Sequence, residues 1–420
     1  MSGVFTSTYH DTPDGRFIRT GVSLRRRVEN GLSIWEVELP EAPGEVALSE
    51  PGGPAEPPPL VADLLRGLLR GRELVEVATL QTRRSEGDLG EAVHDEVAIM
   101  EDRHVVGSFE VNGEPKDPGL RVMRKRRRSS GPNIADLRKI TALPYLQAMV
   151  REQYDEILAH DPGTRLGSDP EALHKFRVAV RRLRAVLRAA RPILDRAWTD
   201  QLRDELAWLG RALGTVRDHD VLLEHIRSQA PTMAPAEQPS LERLADAIEK
   251  QREGARTELL EVLASPRYLE LLGRVELAGE SPRWNGRRRS VEKLAAKEFR
   301  KFERQLDRLA PDPSDAELHR LRVRGKRARY AGELAAPAVG KSAQKFVERA
   351  KRVQDVLGEN QDAVVAEERL RQLIRAKRDP GIAFVAGRLI ERQRLRTSKA
   401  RRQAPKALRK LRKAGRKAWA

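Results

Sequence analysis

The chain has 420 residues and a formal net charge of +18, a balance that favours polyanionic partners such as nucleic acid, an anionic membrane surface or a phosphate polymer. Apolar residues at 39% suffice for a core, while aromatics at only 4% favour helical packing over a sandwich or barrel. There is no cysteine, which excludes disulfides, thiolate metal sites and cysteine nucleophiles, and no run of ~18 apolar residues or apolar signal segment, so a cytoplasmic protein without a membrane partner is expected.

Residues 1–120 read as a small β-rich α+β domain. Ser33–Leu39 alternates as a strand does, and 74–80 and 93–99 look like further strands. The Pro/Gly-rich stretch 40–59 reads as a loop, and Leu60, Leu64, Leu65, Leu68 and Leu69 suit one short helix. Residues 121–133, with Arg121, Arg124, Lys125, Arg126, Arg127 and Arg128 before Ser-Ser-Gly-Pro, read as a basic linker. From 134 onward the periodicity is helical, with segments at 134–160, 170–191, 197–213, 216–230, 240–263, 266–276, 289–309, 314–334, 342–357, 360–377 and 381–398. Pro170, Pro192, Pro231 and Pro313 fall at the joins. Residues 399–420 read as a basic tail that is disordered or helical on binding; from Arg388 onward fourteen Lys/Arg face one acid, Glu391.

One basic helix is written twice. His174 is followed three, seven and ten positions later by Arg177, Arg181 and Arg184; His319 is followed at the same steps by Arg322, Lys326 and Arg329. These steps return to one helix face, so each copy carries a His and three cations in a stripe. In the first copy the apolar positions Leu173, Phe176, Val180, Leu183, Leu187 and Ala190 each precede a stripe residue, which extends the stripe to Arg188 and Arg191. The cations therefore lie about 100° from the core, beside the packing seam, where they can line a groove. The plain alternative is that Arg stems cover the bundle edge and pair with acids. A second correspondence matches Leu213-Gly214 and Asp218 with Leu357-Gly358 and Asp362; Leu-Gly is expected to end one helix and the Asp to cap the next. The repeat implies two similar helical bundles.

Guanidinium forks match phosphate oxygens two at a time, and a line of them suits a repeating phosphate chain. No aromatics flank the stripe, so single-stranded nucleic acid is a poorer fit. A stripe His would donate to phosphate best when protonated. Asp218-His219-Asp220 offers metal-ligand types, but three adjacent helical residues do not converge, and a structural role is favoured. Gly340-Lys341-Ser342 lacks the first glycine and the preceding strand of a P-loop, and there is no His-Glu-x-x-His or Gly-x-Ser-x-Gly motif.

The His174 and His319 helices, with Leu213-Gly214-Thr215-Val216-Arg217-Asp218-His219-Asp220, resemble the CHAD (conserved histidine α-helical domain) family over 134–398. The resemblance implies two antiparallel four-helix bundles, here as halves 134–235 and 240–398, around a basic groove that binds inorganic polyphosphate without catalysis. The groove residues it implies are His174, Arg177, Arg181, Arg184, His319, Arg322, Lys326 and Arg329, with Arg182, Arg188 and Arg327 as lesser candidates, and no metal or other cofactor. Association with polyphosphate granules is part of the same implication.

The N-terminal part resembles the CYTH (triphosphate tunnel) family through Tyr9-His10-Asp11-Thr12-Pro13, Leu24-Arg25-Arg26-Arg27, Trp35-Glu36-Val37-Glu38-Leu39-Pro40 and Thr82-Arg83-Arg84. The family's opening Glu-x-Glu-x-Lys strand is not found, an absence that a misplaced start codon would also produce, and Glu38 stands where a phosphate-binding Lys is expected. Arg25, Arg27 and Arg83 remain as phosphate-binding candidates, and an inactive domain is expected. Two alternatives stay open: an inorganic triphosphatase in this domain using Mg or Mn, and general polyanion or nucleic-acid binding through the basic tail.

Overall fold

The computed structural model describes residues 3–86, 93–101, 104–112, 142–286 and 290–419; the basic stretch 121–133 lies outside them. The chain divides into two compact units. The first comprises 1–132, 152–180 and 260–273, and the second 133–151, 181–259 and 274–420. Among the described residues there are twelve α-helices and one seven-stranded sheet, so the protein is mainly α with a small β domain.

In the first unit the strands are β1 (Gly3–Asp11), β2 (Ser23–Glu29), β3 (Leu32–Glu38), β4 (Val46–Pro51), β5 (Val75–Glu86), β6 (Val93–Glu101) and β7 (His104–Asn112). They pair antiparallel in the order β4-β3-β2-β1-β5-β6-β7. Asn30 and Gly31, with φ of 49° and 78°, make the two-residue turn between β2 and β3, a geometry that matches the strand twist. Residues 40–59 are not wholly loop: Val46–Pro51 completes the sheet edge against β3, because pairing outweighs the poor strand propensity of a Pro/Gly-rich stretch. The short helices are α1 (Arg16–Thr20), α2 (Pro59–Leu64) and α3 (Arg66–Leu69); the single helix expected over 60–70 breaks at Leu65.

Asp11 explains the Tyr9–Pro13 motif structurally. Its buried carboxylate accepts from the backbone N–H of Thr12 (2.6 Å), Phe17 (2.9 Å) and Ile18 (3.2 Å), holding the β1–α1 turn. The fully buried Arg16 donates to the Leu68 carbonyl at 2.8 Å, which ties α1 to α3. Further along, the buried Asp161 accepts from Arg165 Nε at 2.7 Å, and Arg165 donates to the Leu263 carbonyl at 2.8 Å. Gly67 must lack a side chain, because a Cβ there would come within 1.9 Å of Asp161 Oδ2.

The remaining helices are α4 (Ala142–Leu166), α5 (Pro170–Ala190), α6 (Arg196–Gln229), α7 (Gln238–Ala264), α8 (Pro266–Glu280), α9 (Val291–Asp307), α10 (Asp315–Val339), α11 (Lys341–Lys377) and α12 (Pro380–Ala418). Starts follow their caps: Asp195 on α6, Ser290 on α9, a Ser314–Glu317 capping box on α10, and Asp379 on α12. Two apolar clusters build the second unit. One joins α6, α7, α11 and α12 through Leu222, Ile226, Leu244, Ile248, Leu370 and Leu389. The other joins α9–α12 through Phe299, Phe302, Leu321, Phe346, Val353 and Leu411.

Two expectations are corrected here. The Leu-Gly pairs do not end helices: α6 runs unbroken through Gly214 and α11 through Gly358, so Asp218 and Asp362 sit mid-helix rather than at caps. A glycine costs a helix interior only about 1 kcal/mol, too little to break a helix held by two packed ends. The basic tail is also ordered: α12 continues to Ala418 with Ala400, Ala404, Leu408 and Leu411 buried. Its cations are partly neutralised, Arg401 by Asp315 (2.8 Å), and Arg412 (3.0 Å) and Arg416 (2.6 Å) by Glu303.

Candidate functional site: a cation-lined cleft

Helix α5 is amphipathic as its spacing requires: Leu173, Phe176, Val180, Leu183, Leu187 and Ala190 are all buried, and the next residue in each case is basic or His. In α10 the corresponding buried positions are Leu318, Leu321, Gly325 and Ala328. Gly325 packs against Phe302, where a Cβ would rest at ordinary contact, 3.5 Å from the ring.

Within the second unit, Arg181, Arg184 and Arg188 of α5 and Lys326 and Arg327 of α10 line one cleft of about 320 Å³. Arg203 of α6 and Lys297 and Lys301 of α9 line it too. The cations lower one another's affinity for protons. Burial and the neighbouring Arg203 and Arg211 push the Arg184 pKa down. Burial and Arg327 and Arg203 do the same to Arg188. Lys326 is the extreme case: burial first, then Arg322, Arg181 and Arg329, lower its pKa to about 7, with Asp362 opposing. Arg322 is also lowered by burial, with Asp362 opposing; burial pushes the Asp362 carboxyl above its usual range. The Arg322 guanidinium passes Gly358 at ordinary contact range, its Nη2 3.9 Å from where a Cβ would stand.

Two of the lining cations are answered directly, Arg203 by Asp200 at 3.0 Å and Lys301 by Glu298. Among the described residues, Arg184, Arg188, Arg322, Lys326 and Arg327 have no carboxylate within 4.0 Å, and the buried Nε groups of Arg184, Arg203, Arg322 and Arg327 have no hydrogen-bond acceptor. Other stripe members are engaged. Arg191 holds Asp200 at 2.8 Å, and Arg329 lies 3.3 Å from Glu333 and stacks over the Tyr330 ring at 4.3 Å. His319 Nδ1 donates to Gln361 Oε1 at 2.7 Å, which orients its exposed ring. His174 and Arg177 lie half-buried on the two turns of α5 before Arg181, and Arg182 is half-buried outside the cleft lining. Sequence reading missed Arg203, Lys297 and Lys301. For α9 a signal existed, since Lys293, Lys297 and Lys301 recur every four residues.

The Asp218-His219-Asp220 side chains diverge as expected. Asp218 lies 3.7 Å from Arg369, the His219 imidazole donates to the Thr215 carbonyl at 2.8 Å, and Asp220 accepts from Arg252. In the first unit Arg25, Arg27 and Arg84 face one small pocket with Tyr9, Glu36, Glu38 and Asp95, whereas Arg83 points to the opposite sheet face. Each pocket cation is already held: Arg25 by Glu36 (2.6 Å) and Glu38 (2.7 Å), Arg27 by Glu29, and Arg84 by both Asp95 oxygens (2.8 Å each). The pocket carboxylates Glu36, Glu38 and Asp95 are engaged by these arginines, which compete with a divalent ion for their oxygens. No described helix is long and apolar enough to cross a membrane.

The chain is mainly helical, and two of its basic helices meet at one cation-lined cleft. The CHAD-domain family model matches residues 148–371, more than half of the sequence, and the chain belongs to the CHAD-domain family. Two Mycobacterium tuberculosis proteins, uncharacterized protein MT2285 (strain CDC 1551 / Oshkosh) and uncharacterized protein Rv2226 (strain H37Rv), are each 26% identical over 98% of this chain and 90% of their own length. Among solved structures, the CHAD domain of the plant Ricinus communis superposes with a TM-score of 0.51 at 26% identity, covering 64% of this chain and 90% of that one. PptA from Streptomyces chartreusis superposes with a TM-score of 0.52 at 22% identity, covering 63% of this chain and 98% of that one, a likeness of fold.

Proposed function

We propose that this protein binds inorganic polyphosphate without catalysis, along the cleft between the basic stripes of α5 and α10. The observation that carries the reading is the set of cleft cations with no carboxylate within 4.0 Å among the described residues, Arg184, Arg188, Lys326 and Arg327, with Arg322 one turn before Lys326 on α10. Like charges held together in a half-buried cleft destabilise the free protein, and an arriving polyanion relieves that repulsion. A single unbranched phosphate chain is thin enough to enter the cleft, which a double helix is not. Guanidinium groups that retain an unused Nε donor can meet successive phosphates in forks. In this reading 134–398 is the binding domain, its halves 134–235 and 240–398 each contribute one basic helix, and His174, Arg177 and His319 extend the track. The N-terminal sheet is read as a CYTH-like domain whose pocket cations are neutralised from within.

Replacing Arg181, Arg184, Arg322 and Lys326 together with Glu should abolish binding of fluorescent long-chain polyphosphate and leave far-UV circular dichroism unchanged. Unaltered affinity in a folded variant would overturn the assignment of the cleft.

A further inference from the structure

The cleft carries features that an inorganic chain does not use. Its lining includes apolar side chains, Ala185 and Ala189 from α5, Leu294 from α9, and Val323 and Tyr330 from α10. Phosphate gains nothing from such a surface, because only apolar groups are driven out of water onto it. A carboxylate, Glu298, lines the same cleft, where one oxygen accepts from Lys301 and the group lies within electrostatic reach of Arg188 and Arg327. It repels phosphate, but it accepts hydrogen bonds from hydroxyl or amino groups. Close by, Arg184, Arg203 and Arg327 each present a buried Nε without an acceptor.

We propose that this end of the cleft is a site for a nucleoside polyphosphate. Its phosphates would lie on Arg184, Arg203 and Arg327, its base on Ala185, Ala189 and Val323, and a ribose hydroxyl or exocyclic amino group would donate to Glu298. The volume of about 320 Å³ sits at the low end of small-ligand sites. That is room for a base and sugar, with the phosphates running out along the stripe toward Lys326. The inference rests on the polyphosphate reading for the cations and departs from it in the organic half of the ligand.

The test is titration of the full-length protein with ATP and with inorganic triphosphate, alongside Ala189→Leu and Glu298→Ala. ATP should bind about tenfold more tightly than triphosphate, the gain from burying roughly 50–60 Å² of apolar base surface on aliphatic side chains. Ala189→Leu fills the floor and should remove that advantage while leaving triphosphate affinity unchanged. Glu298→Ala should move the two ligands in opposite directions, strengthening triphosphate by removing repulsion and weakening ATP by removing an acceptor. Equal affinities of the unaltered protein for ATP and triphosphate, or equal effects of both substitutions on the two ligands, would overturn the proposal. If long-chain polyphosphate still binds in that case, only the nucleotide site falls. If polyphosphate fails to bind as well, the parent reading falls with it.

Discussion

Replacing Lys326 with Arg should flatten the pH dependence of polyphosphate binding. In the free protein, burial and then Arg322, Arg181 and Arg329 hold the Lys326 pKa at about 7, with Asp362 acting weakly the other way. A phosphate chain in the cleft supplies the missing counter-charge and should return the ammonium toward its ordinary value of about 10.4. Binding therefore takes up a proton wherever free Lys326 is neutral. The sign follows: affinity is highest below about pH 7 and falls as pH rises toward the bound-state pKa. At about pH 6 the free lysine is mostly charged, and at about pH 8 roughly one-tenth is, so affinity should drop about tenfold between them through this residue alone. Arginine stays charged throughout, so K326R should lose this component. The assay is fluorescence anisotropy with long-chain polyphosphate, whose internal phosphates do not titrate in this range, repeated in two buffers of different ionisation enthalpy by calorimetry. Parallel pH profiles for the two proteins, or no proton uptake at about pH 8, would refute the reasoning.

Two further predictions concern stability. Leu411 is fully buried among Phe299, Phe346 and Leu408 on the last turns of α12, so Leu411→Ala should cost about 2–5 kcal/mol, measured by urea unfolding; no loss would mean that these turns detach in solution. His160, buried in the first unit, is hydrogen-bonded through Nδ1 to Glu41 and through Nε2 to Glu156 at 3.2 Å. Burial pulls its pKa down, but the two carboxylates outweigh it and the net shift is upward. Its stabilisation is thus complete below the unfolded value of about 6.5 and is lost as pH rises through the higher folded value. The difference in melting temperature between the unaltered protein and His160→Gln should shrink from about pH 6 to about pH 9, and a constant difference would contradict the linkage.

Much of this molecule is legible in its sequence, for identifiable reasons. The α5 stripe follows from six apolar positions at helical spacing, and a face so regular leaves its neighbours no freedom. The copy at His319 is harder to read as a core helix, because Gly325 and Ala328 replace large apolar residues, yet they bury against Phe302 and its neighbours. What escaped was set by tertiary packing. Nothing local tells that Leu213-Gly214 and Leu357-Gly358 continue their helices. Arg203 joins the cleft only because α6 lies beside α5 there, which no repeat reveals. In α12 the apolar positions Ala400, Ala404, Leu408 and Leu411 were present at helical spacing but masked by surrounding charge. On the N-terminal sheet, strand alternation separates Arg83 from Arg84, and the one on the pocket side is Arg84.

The central claim is that paired basic helices make a selective cleft rather than a generally positive surface. Binding of fluorescent long-chain polyphosphate to the full-length protein, at physiological salt and with duplex DNA of equal charge as competitor, tests it most directly. Tight polyphosphate binding that DNA displaces poorly is the predicted result. Equal displacement by DNA would contradict it, and would assign the binding to the net charge of +18 instead of to the cleft.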